Sequence, residues 1–397
     1  MTDQISQFSP EMRLLILAAR TQITDTTATE LQHLAQQSLN WTRFIQLAHD
    51  HGVLPLVSHT LYRCQPQGLP VDMQNLLQEK TQDRICRNLY LAQELVRVVR
   101  LLQDSGIPCI PFKGPSLAQL AYGNLALRRF LDLDILIPRE LSLKAIKILG
   151  GEGYLTQLTL TPEQENDYLD SHIGFDLHNP EKRVSLELHW NLMSPVLSFP
   201  AQVEDLWSDP LEINLLGTQI HTISLNLLLI YLCFHANKHR WEQLKWICDI
   251  AELLGQTPEI NWDHQIECQA VKLGSLRILL LGLSLANRLL DAPLPLHFQQ
   301  QVEQDRQVLL LTQQVLRRIG DTSSHPPTRW QDHWFYLQSR EQWQDRWPYC
   351  EHVGRLLILP SSTDRNWFPL PKPLDPLYFL VRPVRVFVQR LSNPKTS

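Results

Sequence analysis

Two aspartates, Asp132 and Asp134, lie within the otherwise apolar segment LDLDILI, residues 131–137. Side chains alternate along a β-strand, so both carboxylates point to one face while Leu133 and Ile135 point to the other. Two carboxylates at such close range raise each other's pKa unless a cation offsets their repulsion. The segment therefore predicts a strand with one apolar face and one polar face that binds something positively charged.

The segments around this strand alternate between helix and strand patterns. A helix is predicted from Pro115 to Tyr122, and another over 138–154, which is opened by proline and closed by glycine. Further strand-like runs are IPCIPF (107–112), HIGFDLHN (172–179), RVSLELHW (183–190) and the hairpin-like LEINLLGTQIHTIS (211–224). Strands and helices in this order, followed by antiparallel strands, are typical of an α+β fold.

Helical periodicity dominates on both sides of this region. Apolar residues recur at spacings of three and four before residue 106 and again after residue 224. We therefore predict a helical N-terminal domain (1–106), a central core (107–224) and a helical C-terminal domain (225–397). The end of the chain is expected to contain a basic amphipathic helix around Arg382, Arg385 and Arg390.

The composition is that of a globular chain, with 44% apolar and 19% charged residues. Lysine and arginine number 36 against 41 acidic residues, and the net charge of −5 disfavours a dedicated nucleic-acid-binding protein while permitting a local basic groove. Seven cysteines without a C-x-x-C pair disfavour a disulfide framework and a structural zinc site. No signal-peptide pattern is visible, and the most apolar run, 225–234, is too short to cross a bilayer. We expect a cytoplasmic protein without a membrane partner.

A third carboxylate is expected beside the two aspartates. In RVSLELHW, Glu187 shares a strand face with Ser185 and His189. If this strand neighbours the first, Glu187 joins Asp132 and Asp134; these three acids are called the carboxylate cluster below. Magnesium prefers oxygen ligands and commonly uses carboxylates together with substrate phosphates. Two ions about 3.5–4 Å apart can bind both the attacking and the leaving oxygen of a phosphoryl transfer.

A strand-to-helix junction precedes the aspartates at Lys113-Gly114-Pro115-Ser116. Backbone N–H groups, a hydroxyl and the helix dipole at such a junction can receive phosphate oxygens. Arg128 and Arg129 lie shortly before Asp132 and could neutralise a triphosphate. This order of features indicates a phosphate site beside a metal site.

Together these motifs resemble the DNA polymerase beta-like nucleotidyltransferase superfamily. More narrowly, the chain resembles a bacterial nucleotidyltransferase family with a KG turn, a Y…R segment, D-h-D-h-L and a later E-L-H-W. The matching positions are Lys113-Gly114, Tyr122, Arg128, Asp132–Leu136 and Glu187–Trp190. The resemblance implies a mixed-sheet catalytic core between helical domains, and transfer of a nucleotidyl group from a nucleoside triphosphate (NTP) with magnesium.

The resemblance also implies roles for individual residues. Asp132 and Asp134 would bind both of two magnesium ions, and Glu187 would complete the second metal site and help to deprotonate the acceptor hydroxyl. Phosphate ligands would be Lys113, Gly114, Ser116 and Arg128, with Arg128 favoured over Arg129. The acceptor is open: a small molecule, a sugar, a protein hydroxyl and an RNA end all fit. Neither the NTP nor the oligomeric state follows from the sequence.

Several histidines have more than one interpretation. His189 is expected to orient a carboxylate, to touch phosphate, or to serve as a hydrogen-bonded structural residue. His235 and His239 have the i, i+4 spacing with which two imidazoles can share a metal. On a helix that continued through Trp241, His239 would lie on one stripe with Asp249, and packing of that stripe against the core is the favoured interpretation.

Two other functions remain open. A D-x-D motif also holds a metal and a nucleotide-sugar in glycosyltransferases, although there the motif ends a strand and leads into a loop. A nucleotidyltransferase fold without activity would instead be a binding module. Pro115 keeps this alternative open, because it separates Gly114 from Ser116 where the superfamily's turn is Gly-Ser or Gly-Gly.

Overall fold

The computed structural model describes residues 6–156, 158, 161–197, 199–201, 203–257, 264–320 and 329–358, and near the end 367, 374, 377–379, 381, 382, 384 and 385. The described chain has an α+β fold in which helices surround a five-stranded mixed sheet and a separate hairpin. None of its helices combines the length and apolar character that crossing a membrane requires.

The helices before the sheet are α1 Pro10–Ala18, α2 Asp25–Ala35, α3 Trp41–Asp50, α4 Leu54–Cys64 and α5 Val71–Asp104. Ser9 caps α1 by accepting a hydrogen bond from the Met12 N–H, and Pro10 occupies the first helical position, where no N–H is needed. Thr24 and Asn40 cap α2 and α3 in the same way. The 34-residue helix α5 packs its second half against the sheet.

The central sheet contains β1 Ile110–Pro111, β2 Asp132–Leu136, β3 Leu155–Thr156, β4 Gly174–Asn179 and β5 Val184–His189. Their spatial order is β1-β2-β5-β4-β3, with β2 and β5 parallel and the other neighbours antiparallel. The intervening helices are α6 Gly114–Tyr122, α7 Ser142–Gly151 and α8 Pro162–Ser171. After α9 Val203–Trp207, the predicted hairpin is present as β6 Leu211–Leu215 and β7 Thr218–Thr222. The predicted α+β fold is therefore confirmed.

The register of β2 against β5 separates apolar from charged side chains. Leu133 and Ile135, together with their partners on β5, are fully buried against α5. On the opposite face, Asp134 pairs with Glu187. A slip of one residue would exchange the two faces, so burial of the apolar face fixes the register that brings the carboxylates together.

Helices return after the hairpin as α10 Leu225–Lys238, α11 Leu244–Gln256, α12 His264–Lys272, α13 Leu276–Leu290, α14 Leu296–Gln304, α15 Arg306–Gly320, α16 Arg329–Ser339 and α17 Trp343–Ile358. A helix continuing through Trp241 is not formed, because α10 ends at Lys238 and Arg240 and Trp241 adopt φ angles of 56° and 57°. Of the predicted basic tail helix, Arg382 and Arg385 are helical, and Arg390 lies outside the described residues.

Two buried apolar clusters make up most of the core. The larger one joins α1–α4 to α10, α11 and α13 and includes Phe112 and Leu136 from the sheet region. The smaller one lies between α5 and the apolar face of the sheet. The first and last helical segments therefore pack on each other although they are distant in sequence. The division into domains at residues 106 and 224 stays a prediction, since this packing does not define domain limits.

Candidate active site

The polar face of β2 and β5 carries several ionisable side chains. Asp134 lies opposite Glu187, and His189 follows on the same face of β5. The Nε2 atom of His189 is 3.1 Å from Glu187 Oε2 and 3.5 Å from Asp134 Oδ1. Asp134 and His189 are buried, and Glu187 is half-buried. The adjacency expected for these two strands is confirmed, and it brings His189 into contact with two acids.

Lys113 supplies a positive charge to the same face. Its Nζ atom lies 2.5 Å from Asp134 Oδ1, and its side chain is 15% exposed. The ammonium is also 5.6 Å from the ring centroid of Phe112 and 5.9 Å from that of Tyr231. A hydrogen bond of 3.3 Å from the Phe112 N–H to the Asp134 carbonyl ties this segment to β2. Lys113 therefore partly neutralises the carboxylate cluster at Asp134.

The electrostatics of the face follow from these contacts. Burial disfavours the ionised form of Asp134, but Lys113 and His189 outweigh it and hold the pKa of Asp134 well below its ordinary value. The hydrogen bond with His189 lowers the pKa of Glu187 against the opposing effect of burial. Burial lowers the pKa of His189, but the proximity of the Asp134 and Glu187 carboxylates raises it above the ordinary value. The face thus favours two carboxylates and an imidazolium.

Asp132 lies at the edge of this arrangement. It opens β2 and pairs with Ser185. Burial and the charges of Asp134 and Glu187 raise its pKa, and Lys113 offsets this only in part. Among the described residues, the three groups whose ligand atoms all lie within 4.8 Å of one another are Asp134, Glu187 and His189. Asp132 is therefore the member of the carboxylate cluster whose charge is least compensated.

The Lys113-Gly114 turn connects β1 to α6. Gly114 has a φ of +54°, and a Cβ there would lie 3.1 Å from the Asp132 carbonyl oxygen, so both conformation and close approach favour glycine. The Ser116 N–H donates to the Lys113 carbonyl at 3.1 Å. The buried hydroxyl of Ser116 has no hydrogen-bond partner in the described part of the chain. The turn lies beside the carboxylate cluster, and its role as a phosphate ligand stays a prediction.

Arg128 forms its hydrogen bonds with Asp249 and Gly114, and none with the carboxylate cluster within the described chain. Its Nε and Nη2 atoms donate to Asp249 Oδ1 and Oδ2 at 2.8 and 3.0 Å, and the Tyr122 hydroxyl donates to Oδ1 at 2.8 Å. Its Nη1 approaches the Gly114 carbonyl at 3.5 Å. We call Arg128 and Asp249 the closed pair. Burial opposes the charge of Arg128, but Asp249 raises the pKa above the ordinary value. Phosphate contact by Arg128 stays a prediction, and its Nε and Nη2 atoms are already occupied by Asp249.

Helix α10 packs against the candidate site, and α11 follows it in the chain after a turn. The ring of Tyr231 is 5.4 Å from that of Phe112, and burial raises the pKa of Tyr231 to about 12. The rings of His235 and His239 are 4.8 Å apart, and His239 stacks on Trp246 at 5.1 Å. The stripe expected on one continuous helix is absent because the chain turns after Lys238. Neither histidine belongs to a three-residue metal cluster within the described chain.

Sequence reasoning missed two lysines near the site. Desolvation and the Lys113 charge lower the pKa of Lys238, while Glu187 raises it. Burial and the charge of Arg128 lower the pKa of Lys245, and Asp249 and Asp132 raise it. Both lysines lie in the segment HANKHRWEQLK, where cations interrupt an apolar helical pattern. That interruption of the apolar pattern is the sequence feature that could have indicated the two lysines, but it does not predict that they lie near the carboxylate cluster.

The residues present fit a divalent cation. Asp134 Oδ1 is buried and accepts no hydrogen bond of good geometry from the described residues, although Lys113 and His189 lie near it. Asp134 and Glu187 each offer an oxygen ligand atom within 4.8 Å of the other and of His189 Nε2, which could bind a metal only after losing its proton, and Asp132 lies beside them. Oxygen donors of this kind suit magnesium or manganese. A cation bound here would compete with Lys113 for Asp134.

Carboxylates on two adjacent strands of a mixed sheet, beside a glycine turn, are the arrangement expected of a nucleotidyltransferase core. A protein-family model described as "Uncharacterised nucleotidyltransferase" matches residues 37–291. The match covers more than half of the chain, and the chain belongs to this family. The resemblance to a nucleotidyltransferase family is thus confirmed, while the individual motif positions are not tested by the match. Comparisons with curated proteins and with solved structures gave no significant match.

Proposed function

We propose that the protein transfers a nucleotidyl group from an NTP to a hydroxyl group of an acceptor, with magnesium as cofactor and pyrophosphate as the second product. The observation that carries the proposal is the register that pairs Asp134 with Glu187, beside the Lys113-Gly114 turn. Membership of the nucleotidyltransferase family supports the reaction class. The metal, the two-ion mechanism, the nucleotide and the acceptor belong to the proposal.

Each predicted residue has a role in this proposal. Asp132, Asp134 and Glu187 would hold two magnesium ions, which when bound would neutralise charge on the phosphates. Lys113 would offer its ammonium, and Gly114 its backbone N–H, to phosphate oxygens. Ser116 and Arg128 remain predicted phosphate ligands.

The proposed reaction is an in-line displacement at the α-phosphorus. The acceptor oxygen forms a bond to that phosphorus, and the bond to the oxygen bridging to the β-phosphate breaks, so its electron pair leaves with pyrophosphate. The proton of the acceptor hydroxyl passes to a carboxylate. Glu187 is the predicted base, and Asp132, whose pKa is raised by burial and its acidic neighbours, is the alternative. Most of the rate enhancement would come from positioning and charge neutralisation.

Calorimetric titration of each NTP, with and without magnesium, tests the site. We expect magnesium-dependent binding of at least one NTP to the wild type and none to Asp132→Ala/Asp134→Ala. The matched control is Asp72→Ala/Asp104→Ala, which removes two exposed carboxylates from α5 and should bind normally. Transfer from an α-labelled NTP to components of a cell extract, with release of pyrophosphate, would identify the acceptor. Failure of a folded wild type to bind any NTP would refute the proposed activity.

A second candidate is a nucleotide-binding module without turnover. The contact between Lys113 and Asp134 and the closed pair favour it, because they leave two predicted phosphate ligands engaged elsewhere. Magnesium-dependent nucleotide binding without pyrophosphate release in any extract would support it. A glycosyltransferase is less favoured, because Asp132 opens β2 instead of ending it. Sugar transfer without pyrophosphate release would reverse that preference.

A further inference from the structure

We propose that a basic pocket formed by α5, Arg129 and the junction of α3 and α4 binds a phosphate group of the acceptor. The pocket has a volume of about 380 Å³. Its cationic lining is Lys80, Arg84, Arg87 and Arg129, and Asp83 is the acid among the lining residues. The inference rests on the proposed function, because it names the chemistry of the molecule that the carboxylate cluster would act on.

Three of these cations belong to one face of α5. Lys80 and Arg84 are four residues apart, and Arg84 and Arg87 are three apart, so their side chains are neighbours on the helix surface. Like charges at these spacings destabilise a helix. Arg129 adds a fourth cation from a different segment of the chain. Such a concentration of one charge is explained by an anion that binds between the cations.

None of the four cations forms an ion pair with a carboxylate of the described residues, although Asp83 lies among them on α5. Arg129 donates to the His49 carbonyl at 3.4 Å, and Arg87 donates to the carbonyl of Arg183. Neither of these partners carries a negative charge, and no side-chain carboxylate of the described residues forms an ion pair with any of the four. Burial and the charges of Arg129 and Arg87 lower the pKa of Arg84, and the charge of Asp83 offsets them only in part.

The pocket adjoins the candidate active site. Gly52 and Arg129 line both this pocket and a narrow cleft that also touches Arg128 and Lys245. The charge of Lys245 is coupled to both Arg129 and Asp132. Cations therefore line both the pocket and the cleft beside it, and Lys245 in that cleft is within electrostatic range of Asp132. In this proposal the pocket holds the phosphate of the acceptor, the cleft holds part of its carrier molecule, and the acceptor hydroxyl lies on the side of Asp132.

The acceptor is a better source of this phosphate than the donor nucleotide. The phosphates of the donor are assigned to Lys113, Gly114, Ser116 and Arg128, and none of these residues lines the basic pocket. A second phosphate site therefore calls for a second molecule. The pocket has room for a phosphate group and part of its carrier, and the net charge of −5 disfavours an extended polyanion.

Titration with inorganic pyrophosphate in EDTA and low salt tests the pocket without magnesium. We expect the wild type to bind, and Arg84→Gln/Arg87→Gln to bind at least about tenfold more weakly, which corresponds to about 1.4 kcal/mol. Arg129→Gln should reproduce the loss from another segment, so that the result does not depend on the stability of α5. The matched control is Arg100→Gln/Lys147→Gln, which removes two exposed cations elsewhere and should bind like the wild type.

A second titration with magnesium and the NTP separates the two sources of phosphate. We expect Arg84→Gln/Arg87→Gln to bind the NTP as the wild type does. Equal weakening of NTP and pyrophosphate binding would assign the pocket to the donor and overturn the proposal, as would pyrophosphate binding that is absent or unchanged in the variants. If the wild type binds pyrophosphate through these arginines but binds no NTP, the proposed function fails while the anion pocket stands.

Discussion

Two groups of buried or half-buried charged residues meet at the Lys113-Gly114 turn, and they differ in how their charges are balanced. The closed pair consists of one cation and one anion, joined by two hydrogen bonds of 2.8 and 3.0 Å, with Tyr122 donating a third to Asp249. The carboxylate cluster consists of three acids against one ammonium and one imidazole. The first group is complete as it stands, whereas the second has an excess of negative charge.

This difference distinguishes a structural role from a functional one. A buried bidentate ion pair needs no further partner, and breaking it is costly. A buried group with excess charge of one sign reduces stability unless a ligand supplies the opposite charge, and such groups are found preferentially at functional sites. We therefore expect substitutions in the closed pair to act chiefly on folding, in addition to the phosphate contact proposed for Arg128, and those in the carboxylate cluster to act chiefly on ligand binding.

The largest effect is expected when the closed pair is broken. Asp249→Asn would leave the guanidinium of Arg128 buried without a counter-charge, and the free energy of unfolding should fall by about 3–5 kcal/mol in urea titrations. Arg128→Met/Asp249→Leu removes both charges and should cost less than Asp249→Asn alone. A loss below about 1 kcal/mol for Asp249→Asn would mean that the pair contributes no more than an exposed ion pair, and a structural role for the closed pair would be refuted.

The next effect depends on pH and concerns α11, which carries Asp249. The Leu244 N–H, at the start of α11, donates to His51 Nδ1 at 3.3 Å, and burial lowers the pKa of His51 from 6.5 to about 4. Between these values the unfolded chain binds a proton that the folded chain does not. Stability should therefore fall by up to about 3 kcal/mol as the pH drops from about 6.5 towards about 4.

His51→Asn isolates this contribution, because asparagine keeps an acceptor near the Nδ1 position but does not titrate. Urea unfolding of both proteins across this pH range should show the wild type losing stability relative to the variant as the pH falls. Parallel curves would mean that His51 is not held neutral by the fold.

A smaller effect on stability is expected for a substitution next to the carboxylate cluster. Gly174 of β4 pairs with His189, and a Cβ there would lie 2.8 Å from the Leu188 carbonyl oxygen and 3.2 Å from His189 Nδ1. Gly174→Ala should cost about 1–3 kcal/mol in thermal unfolding and move His189 away from Glu187. Gly151→Ala is the control, since a Cβ at that position meets nothing within 4 Å. Equal effects of the two substitutions would contradict the close packing at His189.

The smallest effect on stability has the opposite sign. Burial and its acidic neighbours raise the pKa of Asp132, so Asp132→Asn should leave the free energy of unfolding unchanged or increase it by up to about 1 kcal/mol. The same substitution should abolish magnesium-dependent NTP binding. Asp167→Asn, at an exposed position of α8, should change neither property. A destabilised Asp132→Asn protein would show that Asp132, like the closed pair, stabilises the fold.

Much of the sheet could be predicted because its strands carry a clear alternation. LDLDILI and RVSLELHW form β2 and β5, and the hairpin falls within the predicted run. The predicted first strand over 107–112 shortens to Ile110–Pro111. The break after Lys238 could not be predicted, because left-handed backbone at Arg240 and Trp241 has no local signal without glycine. It costs about 1–2 kcal/mol per residue, and complete burial of Trp241 is available to offset it.

The part of the candidate site that could be predicted is the part that follows from the alternation of side chains within a single strand. Alternation places Asp132 and Asp134 together, and a parallel neighbour adds Glu187. The partner of Arg128 was not predictable, since Asp249 lies 121 residues away and no local pattern connects them. The basic pocket is a similar case, because Arg129 meets the cations of α5 only after folding.

The sequence by itself therefore determined which residues share a face, because the periods of strand and helix are properties of the local backbone. It determined the polar face of β2 and β5 and the Lys113-Gly114 turn between a strand and a helix. Only the tertiary structure decided which charged side chains form ion pairs and which keep an uncompensated charge, because ion pairing depends on contacts between distant segments. Arg128 and Lys113 illustrate the difference. Both cations lie near the same turn, but Arg128 forms an ion pair with Asp249 of α11, whereas Lys113 forms one with Asp134 of β2.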